Sequence, residues 1–357
     1  MPEERFTACI DIIQTVKCLL FSVLFFIFLL EAALRITGKW ITASEKSTGR
    51  FFYEWGYETH RHYAYPPNDT FVMDIGEYSW EYHTNSLGYR EREMDTAPPH
   101  AIRALVIGDS FAEGNGTSYD SSWARHLERR LQQKHPDAEV YVCGISGFDP
   151  FYAYVALKER LLPYRPTHVL ISVNDSDFDD FIIRGGFSRF KDGNRVQYKD
   201  PPWFLPVYRY SHIARMIAHT FCHYDYYLIQ RVHTEKVRRE AADSISACLQ
   251  NIYQLCRENH IRFLAVIYPV PHKVCYATDD HILSDVPALE KTTAAYPALF
   301  LYNDLSKNLK AGDCMSYCWK TDSHFNNKGY ALLAHLIDSA IQAQHPDFWS
   351  IPDSPGY

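Results

Sequence analysis

Four short stretches of the sequence carry side chains that together could transfer an acyl group through a serine. A serine hydroxyl is a weak nucleophile until a base removes its proton, an imidazole does this near neutral pH, and a carboxylate holds the useful imidazole tautomer. These three kinds of side chain predict Ser110 as the nucleophile, His324 as the base and Asp322 as the carboxylate that orients the base. The stretches are Gly108-Asp109-Ser110, Gly144-Ile145-Ser146-Gly147, Asn174-Asp175 and Asp322-Ser323-His324-Phe325-Asn326.

Acyl transfer also needs hydrogen-bond donors for the oxyanion of the tetrahedral intermediate. Removing one such donor raises the barrier by about 2.7–4 kcal/mol. The backbone N–H groups of Ser110 and Gly147 and the side-chain amide of Asn174 are of the right types. We therefore predict an oxyanion hole made from these three groups.

The elements that must position these residues form a βαβ pattern. Short apolar runs at 104–107, 139–143, 167–173, 261–267 and 299–302 predict strands, and periodic segments at 123–134, 151–162, 240–259 and 326–343 predict helices. Such alternation is typical of a parallel sheet, whose functional groups gather beyond the carboxyl ends of the strands. Gly108 is predicted to permit a tight turn that raises Ser110 to this edge, beside a helix N-terminus.

The motifs resemble a known superfamily. GDSF at 108–111, GISG at 144–147, VND at 173–175 and DSHFNNKG at 322–329 resemble the four blocks of the SGNH, or GDSL, hydrolases in the same order, over residues 101–345. The resemblance implies a flavodoxin-like three-layer α/β/α sandwich with about five parallel strands. It implies a serine esterase with Ser110 as nucleophile, Gly147 and Asn174 in the oxyanion hole, and His324 as base.

A narrower resemblance concerns substrate and location. LLEAALR at 29–35, SLGYRERE at 86–93, the NDSDFDD loop and the HFNNKGY ending are similar to membrane-anchored bacterial SGNH proteins, many of them tied to cell-surface polysaccharides. This implies an enzyme of the periplasm or cell exterior that removes ester-linked acyl groups, O-acetyl above all, from a surface glycan. An O-acyltransferase on a polysaccharide and a catalytically silent glycan-binding or scaffold protein with the same fold are the alternatives.

Two positions depart from the superfamily pattern. The last block usually has aspartate three residues before histidine, where this chain has Thr321, and Asp322 stands two before His324. The shorter spacing also occurs in SGNH-like alginate O-acetyltransferases, so it indicates a variant site. Ser172 stands where the third block often has glycine, and is expected to reshape the oxyanion loop slightly.

The N-terminal segment predicts a membrane anchor. Residues 18–34 are apolar except for Ser22 and Glu31, close to the ~20 residues that a spanning helix needs. The small residues of a signal-peptide cleavage site are poorly matched, so we expect an uncleaved helix. More Lys and Arg follow this helix than precede it, which favours a cytoplasmic catalytic part. We place more weight on the resemblance, which favours the periplasm.

Composition narrows the partners and cofactors. The net charge is -7 and no basic block is present, which argues against nucleic-acid binding. We find no P-loop, dinucleotide fingerprint, HExxH or GxSxG motif, and we expect neither a cofactor nor a metal. The acidic run 175–180 lacks the glycine and glutamate of a calcium loop and is predicted to be a solvated loop. His60 and His62 are expected to be ordinary exposed side chains.

Three segments are predicted along the 357 residues. Residues 1–40 form the anchor, 41–100 a membrane-proximal part of short strands and loops, and 101–347 the hydrolase-like domain. The βαβ rhythm pauses over 176–240, an insertion too long for a connecting loop, which predicts a lid or substrate-facing subdomain. Nine cysteines leave the redox compartment open. Cys314 and Cys318 are the pair most worth testing for a disulfide.

Overall fold

The computed structural model describes residues 2–40, 64–97, 102–191, 195–196, 202–224, 234–277, 284–291, 295–310 and 313–351. These residues fall into two compact units. The first unit contains 2–40 and 202–224, and the second contains the other described residues. His60 and His62, which are predicted above to be ordinary exposed side chains, lie outside the described residues.

The helices are numbered here in chain order. They are α1 (Pro2–Thr37), α2 (Ser110–Glu113), α3 (Trp123–Gln132), α4 (Pro150–Ala156), α5 (Asp175–Arg184), α6 (Leu205–Tyr210), α7 (His212–Met216), α8 (Thr234–Glu258), α9 (Pro271–Cys275), α10 (Pro287–Glu290), α11 (Tyr302–Lys310) and α12 (Asn327–Gln344). A π turn, Leu157–Leu161, continues α4, so the predicted helix 151–162 is present in two parts.

The strands are likewise numbered in chain order. They are β1 (Thr70–Asp74), β2 (Ser79–His83), β3 (Arg103–Gly108), β4 (Glu139–Gly144), β5 (His168–Val173), β6 (Phe190–Lys191), β7 (Arg195–Val196), β8 (Arg262–Ile267) and β9 (Ala298–Phe300). Five of them form one parallel sheet in the order β4-β3-β5-β8-β9. This is the flavodoxin-like order, which confirms the predicted fold class.

Both faces of the sheet are covered, so its central strands are apolar without interruption. Every residue of β3 and β5 is buried, as expected for parallel strands packed on two sides. Leu105 and Ile107 pack on one face among side chains of α4 and α8. Ala104 and Val106 pack on the other face with α3 and α12. Successive side chains of β3 point to opposite faces of the sheet, so alternate residues contribute to the two hydrophobic cores that cover it.

A two-stranded hairpin lies in the same unit as the sheet. Strands β1 and β2 pair antiparallel, with Thr70 opposite His83 and Asp74 opposite Ser79. Beyond the hairpin, Arg90 is 2% exposed and donates to the carbonyl oxygens of Gly114 and Thr117, in the loop that follows α2. Residues 64–97 therefore contact the loop that follows the predicted nucleophile.

Helix α1 belongs to the other unit. Within the described residues it contains the one stretch, Ile13–Thr37, that is long and apolar enough to cross a membrane. Helices α6 and α7 lie in the same unit, so part of the predicted insertion packs with the N-terminal helix.

Two predictions about local structure are wrong. The acidic run 175–180 lies in α5, where Asp175 and Asp177 are buried, and is not a solvated loop. It is helical because Asn174 caps the first turn, accepting from the Ser176 N–H at 2.9 Å, while Asp177 accepts from the Asn174 N–H at 2.7 Å.

The disulfide joins Cys275 to Cys314, not Cys314 to Cys318. Cys275 ends α9 and Cys314 begins the turn 314–317, which brings their Cα atoms to 5.7 Å. Cys318 stays a buried free thiol on the same turn.

Candidate active site

Ser110 stands where strand β3 passes into helix α2. Asp109 caps this short helix by accepting from the Phe111 N–H at 3.0 Å. A Cβ added to Gly108 would lie 2.8 Å from the Cβ of Ser172 and 3.0 Å from that of Ala112. Glycine is needed at this position because strand β5 and helix α2 approach it closely, a reason different from the turn that the sequence analysis assigned to it.

A continuous hydrogen-bonded chain joins serine, histidine and aspartate. The His324 Nε2 lies 2.7 Å from Ser110 Oγ, and its Nδ1 lies 2.8 Å from Asp322 Oδ2. Because a carboxylate accepts and does not donate, Nδ1 carries the ring proton and Nε2 is left to accept from the serine hydroxyl. Phe111 packs on the imidazole with ring centroids 4.5 Å apart and so restrains its orientation.

The charges of the site favour an imidazole that can hold a proton. Burial by itself lowers the pKa of His324, but the Asp322 carboxylate and its hydrogen bond outweigh burial and raise the pKa above its ordinary value. For Asp322 burial raises the pKa, while the imidazole, the hydrogen bond from Tyr78 and the charge of His272 together lower it. The pair is thus arranged to stabilise an imidazolium next to a carboxylate.

Hydrogen bonds link Asn174 and the turn that contains Gly147 to residues just before Ser110. Gly147 has φ +78° in a turn whose Ile145 N–H donates to Gly108 O at 3.0 Å. The Asn174 amide donates to Asp109 Oδ2 at 2.8 Å, so it is fixed beside the residue that precedes the serine. Ser172 donates or accepts at 2.7 Å with the hydroxyl of Tyr268.

A buried polar cluster underlies the Gly147 turn and was missed from the sequence. Ser146 Oγ donates to Glu113 at 2.8 Å and accepts from Asn115 Nδ2 at 2.8 Å. Tyr65 donates to the same Glu113 oxygen at 3.3 Å, and Tyr82 donates to Asn115. Glu113 and Asn115 follow Ser110 within GDSFAEGNG, so the motif itself held the signal. The two tyrosines lie far away in sequence and gave none.

The β1–β2 hairpin contacts Asp322, the acid of the Ser110–His324–Asp322 triad, and the sequence did not indicate this contact. The Tyr78 hydroxyl donates to Asp322 Oδ2. Glu77 Oε2 accepts from the backbone N–H groups of Thr321 and Asp322, each at 2.7 Å. The contacts join residues 244 and 245 positions apart, so no local pattern could reveal them.

No group of three or more potential metal ligands occurs within the described parts of the chain. A serine, a histidine and an aspartate in series are instead the arrangement of a serine hydrolase. The fold and this arrangement together define that class of protein.

The GDSL-like lipase/acylhydrolase family matches residues 106–332, which is more than half of the chain. The protein belongs to this family. No curated protein sequence matches it.

Solved structures of esterases are similar to the chain at low identity. A two-domain esterase active on acetylated mannans is 14% identical with a TM-score of 0.42, over 72% of this chain and 52% of its own. The chain thus spans about half the length of that esterase. The psychrotrophic esterase EstA from Pseudoalteromonas sp. is 16% identical with a TM-score of 0.39, over 68% of this chain and 97% of its own. An acetyl xylan esterase is 16% identical with a TM-score of 0.40, over 67% and 100%.

Proposed function

We propose that this protein is a membrane-anchored esterase that removes ester-linked acyl groups, chiefly O-acetyl, from a cell-surface glycan through an acyl-serine at Ser110. The observation that carries the catalytic part is the chain of 2.7 and 2.8 Å contacts from Ser110 through His324 to Asp322. Nucleophile, base and orienting acid stand in hydrogen-bonding order, which favours an active enzyme over a silent glycan-binding protein.

The reaction follows from these contacts in two halves. The Ser110 oxygen attacks the ester carbonyl while its proton passes to His324 Nε2. The tetrahedral intermediate then expels the glycan hydroxyl, which takes that proton from the imidazolium. Water next attacks the acyl-serine, gives its proton to the imidazole, and releases the carboxylic acid as the proton returns to Ser110. Asp322 holds the ring and stabilises its positive charge in both halves.

For the oxyanion we propose the backbone N–H groups of Ser110 and Gly147 and the amide of Asn174. Asp109 links two of these groups, because it precedes Ser110 and accepts from Asn174. The Gly147 turn is tied to the end of β3 by the Ile145 N–H. These links support donors that are placed before the substrate arrives, as electrostatic stabilisation requires.

The glycan substrate and the anchored location rest on other observations. The glycan rests on the resemblance of LLEAALR, SLGYRERE and HFNNKGY to membrane-anchored bacterial SGNH proteins. The anchor rests on the apolar stretch Ile13–Thr37 of α1. An extracytoplasmic catalytic unit is supported by the Cys275–Cys314 disulfide, because such bonds persist in oxidising compartments. This outweighs the Lys and Arg count around the helix.

Hydrolysis by the detergent-solubilised full chain tests the proposal. We expect it to release nitrophenol from p-nitrophenyl acetate and acetate from an O-acetylated polysaccharide, and Ser110→Ala to lose at least about 1,000-fold of either rate. Ser118→Ala is the matched control, because this serine bonds only to Ser121 among the described residues. Equal rates for wild type and Ser110→Ala would contradict the catalytic assignment.

The O-acyltransferase alternative is favoured by the two-residue spacing of Asp322 and His324, which resembles that of alginate O-acetyltransferases. An added sugar acceptor distinguishes the two activities. An esterase releases acetate at an unchanged yield, whereas a transferase passes the acetyl group to the acceptor and forms less free acetate.

A reporter fusion tests the location. Alkaline phosphatase, which needs an oxidising compartment, is joined after residue 357 in a bacterial host. We expect an active reporter for an extracytoplasmic catalytic unit. An inactive but stably produced fusion would place the unit in the cytoplasm.

A further inference from the structure

We propose that the segment 202–224 lies on the membrane surface and inserts its exposed aromatic side chains into the boundary between lipid headgroups and acyl chains. The inference rests on the proposed membrane anchorage of α1. It replaces the expectation that the whole 176–240 insertion forms a lid or substrate-facing subdomain with a lipid-binding role for this part.

Hydrogen bonds fasten the segment to the last turns of the apolar helix. The Glu31 carboxylate accepts from the backbone N–H groups of His212 at 2.8 Å and Ile213 at 3.0 Å, and from the Ser211 hydroxyl at 3.0 Å. Arg35 donates to the carbonyl of Tyr210 and pairs with Glu31 at 2.9 Å. The start of α7 is thereby held beside residues 31–35 of α1.

A second set of contacts holds the segment just beyond the end of α1. Arg215, 1% exposed, donates to the Trp40 carbonyl at 2.9 Å and to the carbonyls of Tyr208 and Arg209 at 3.0 and 2.8 Å. The ring of His219 stacks on Trp40 with centroids 5.3 Å apart. Both ends of α7 are therefore fixed to the same part of the chain.

These contacts set the height of the segment relative to a bilayer. The uncharged run of α1 ends at Leu30, and Arg35 lies about 7.5 Å further along a helix that rises about 1.5 Å per residue. That distance places Glu31 and Arg35 at the level where charged side chains reach headgroups and water. The segment bonded to them must lie at the same level.

The segment exposes large apolar side chains at this level. Trp203, Tyr210 and Phe221 are 89%, 68% and 68% exposed, and Val207 and Ile217 are exposed with them. Val207 and Tyr210 lie three residues apart in α6 and so share one face of that helix. Trp203 lies just before α6, and Ile217 and Phe221 lie in the π turn 217–221 that follows α7. Trp and Tyr are enriched where a membrane meets water, because their rings are apolar with a polar edge. Exposed Lys39 and Arg209 add positive charge that suits anionic lipid headgroups.

Photo-crosslinking of the full chain reconstituted in vesicles of phosphatidylethanolamine and phosphatidylglycerol tests the proposal. Benzoylphenylalanine is placed at one position at a time, and lipid adducts are measured by mass spectrometry. We expect adducts from positions 203 and 221, at least about 10-fold above those from position 276. Tyr276 is the matched control, an aromatic residue 61% exposed on the other unit.

Crosslinking at position 24 tests the membrane anchor separately from the proposed role of residues 202–224. Leu24 lies in the middle of the apolar stretch and is 64% exposed. Adducts at 24 without adducts at 203 and 221 would overturn the membrane-surface role while leaving the anchor intact. An absence of adducts at all three positions would overturn the anchor as well. Crosslinks from 203 and 221 to protein instead of lipid would show a protein partner on this surface, and would also refute the inference.

A separate observation carries a second inference, which rests on the proposed catalytic roles. We infer that Tyr78 and Glu77, at the turn of the β1–β2 hairpin, are positioning residues for Asp322. Glu77 fixes the backbone of 321–322 through two N–H groups, and Tyr78 fixes the carboxylate. The ring of Tyr78 is itself held against Trp319 at 5.1 Å between centroids.

The hairpin explains how a two-residue spacing can still present the acid correctly. Only Ser323 lies between Asp322 and His324, so both side chains come from one tight turn, which the Trp319 N–H closes by donating to the His324 carbonyl at 2.9 Å. The hairpin supplies three hydrogen bonds from outside. A carboxylate held this way keeps the imidazole in its productive tautomer and orientation.

Kinetics as a function of pH test this positioning. We expect Tyr78→Phe to lower kcat about 10-fold, the loss of one hydrogen bond to a charged group, with little change in KM. The acidic limb should move to higher pH, because an Asp322 carboxylate without that donor attracts the imidazolium more strongly. An unchanged kcat and pH profile would overturn the role of Tyr78.

A pair of substitutions at Glu77 guards against a general loss of structure. Glu77→Gln keeps an oxygen for the two N–H donors and should retain most of kcat, whereas Glu77→Ala should lose about 10-fold. Glu81→Ala, on the exposed face of the same hairpin, is the control and should match wild type. Equal activity of Glu77→Ala and Glu77→Gln would refute the inference. If wild type itself lacks esterase activity, the catalytic proposal fails, and this inference with it.

Discussion

Replacing Glu113 by glutamine is expected to stabilise the protein more and more as the pH rises. The side chain is 1% exposed, and burial raises the pKa of its carboxyl to about 7. Hydrogen bonds from Ser146 and Tyr65 and the charge of Arg90 oppose that rise without cancelling it. The other oxygen, Oε1, is buried with no partner among the described residues.

The magnitude follows from the two pKa values. The ordinary value is 4.5 and the value in the folded protein is about 7. Between them the folded protein keeps a proton that the unfolded chain has lost, so the free energy of unfolding falls as the pH rises through this window. At about 1.36 kcal/mol per pKa unit, the full penalty above pH 7 is about 3 kcal/mol. Glutamine carries no charge to bury and still offers Ser146 an acceptor oxygen.

Thermal unfolding of the detergent-solubilised protein at about pH 5 and about pH 8.5 measures the effect. Between these two pH values the stability difference between Glu113→Gln and wild type should grow by about 2–3 kcal/mol. The Tm of the variant minus that of wild type should therefore grow by about 5 °C. Taking the difference cancels other titrating groups, such as His168, whose burial lowers its pKa to about 4. Glu81→Gln, an exposed carboxylate, is the control. A difference that stays constant or shrinks as the pH rises would refute the reasoning.

Three further predictions follow from single contacts. Asp322→Asn should lower kcat by about 10⁴-fold. It should also move the acidic limb of the pH–rate profile to lower pH, because His324 loses the carboxylate that raises its pKa. An unmoved acidic limb would show that Asp322 and His324 are not coupled. Gly108→Ala should destabilise the protein by about 1–3 kcal/mol, since its Cβ meets a serine Cβ at 2.8 Å, and an unchanged Tm would contradict this packing. Cys275→Ser should cost about 4 kcal/mol for a loop closed over 39 residues. A non-reducing peptide map should show the 275–314 disulfide both in wild type and in Cys318→Ser, and a 314–318 linkage in the wild-type map would contradict the structure.

The sheet and the chemistry at its edge could be predicted because each depends on local pattern. Strands β3 and β5 are uninterrupted apolar runs, since they are buried on both sides, and the groups that end them stand directly after the runs. The parallel order then brings the ends of β3, β4 and β5 to one edge of the sheet. The roles of Gly147 and Asn174 at that edge stay predictions.

The hydrogen bonds that hold the catalytic residues at this edge of the sheet could not be predicted, because they join residues that are far apart in the sequence. Tyr78 meets Asp322 from 244 positions away, and neither β1 nor β2 carries an apolar run that would announce a core element. The acidic run of α5 was misinterpreted for a related reason. Its charge suggested solvent, but Asp175 is buried where it accepts from the N–H groups of Val270 and Asp285, both far along the chain.

The sequence also did not show that the 176–240 insertion is divided between the two compact units. Its first part, α5, packs with α8 in the unit of the sheet, whereas residues 202–224 pack with α1. The reason is the Glu31 carboxylate, an apparent flaw in an apolar helix that accepts three hydrogen bonds from residues 211–213. A single charge in an apolar stretch indicates that a partner exists, but not which residues supply it.

Labelling with a fluorophosphonate tests the central claim most directly, because the reagent reacts with a serine only when a base activates it. Folded, detergent-solubilised wild type should be labelled at Ser110, identified by mass spectrometry of the labelled peptide. Ser110→Ala and His324→Ala should lose the label, and Ser118→Ala should keep it. A folded wild type that stays unlabelled, or that is labelled equally after Ser110→Ala, would contradict an activated serine at this site.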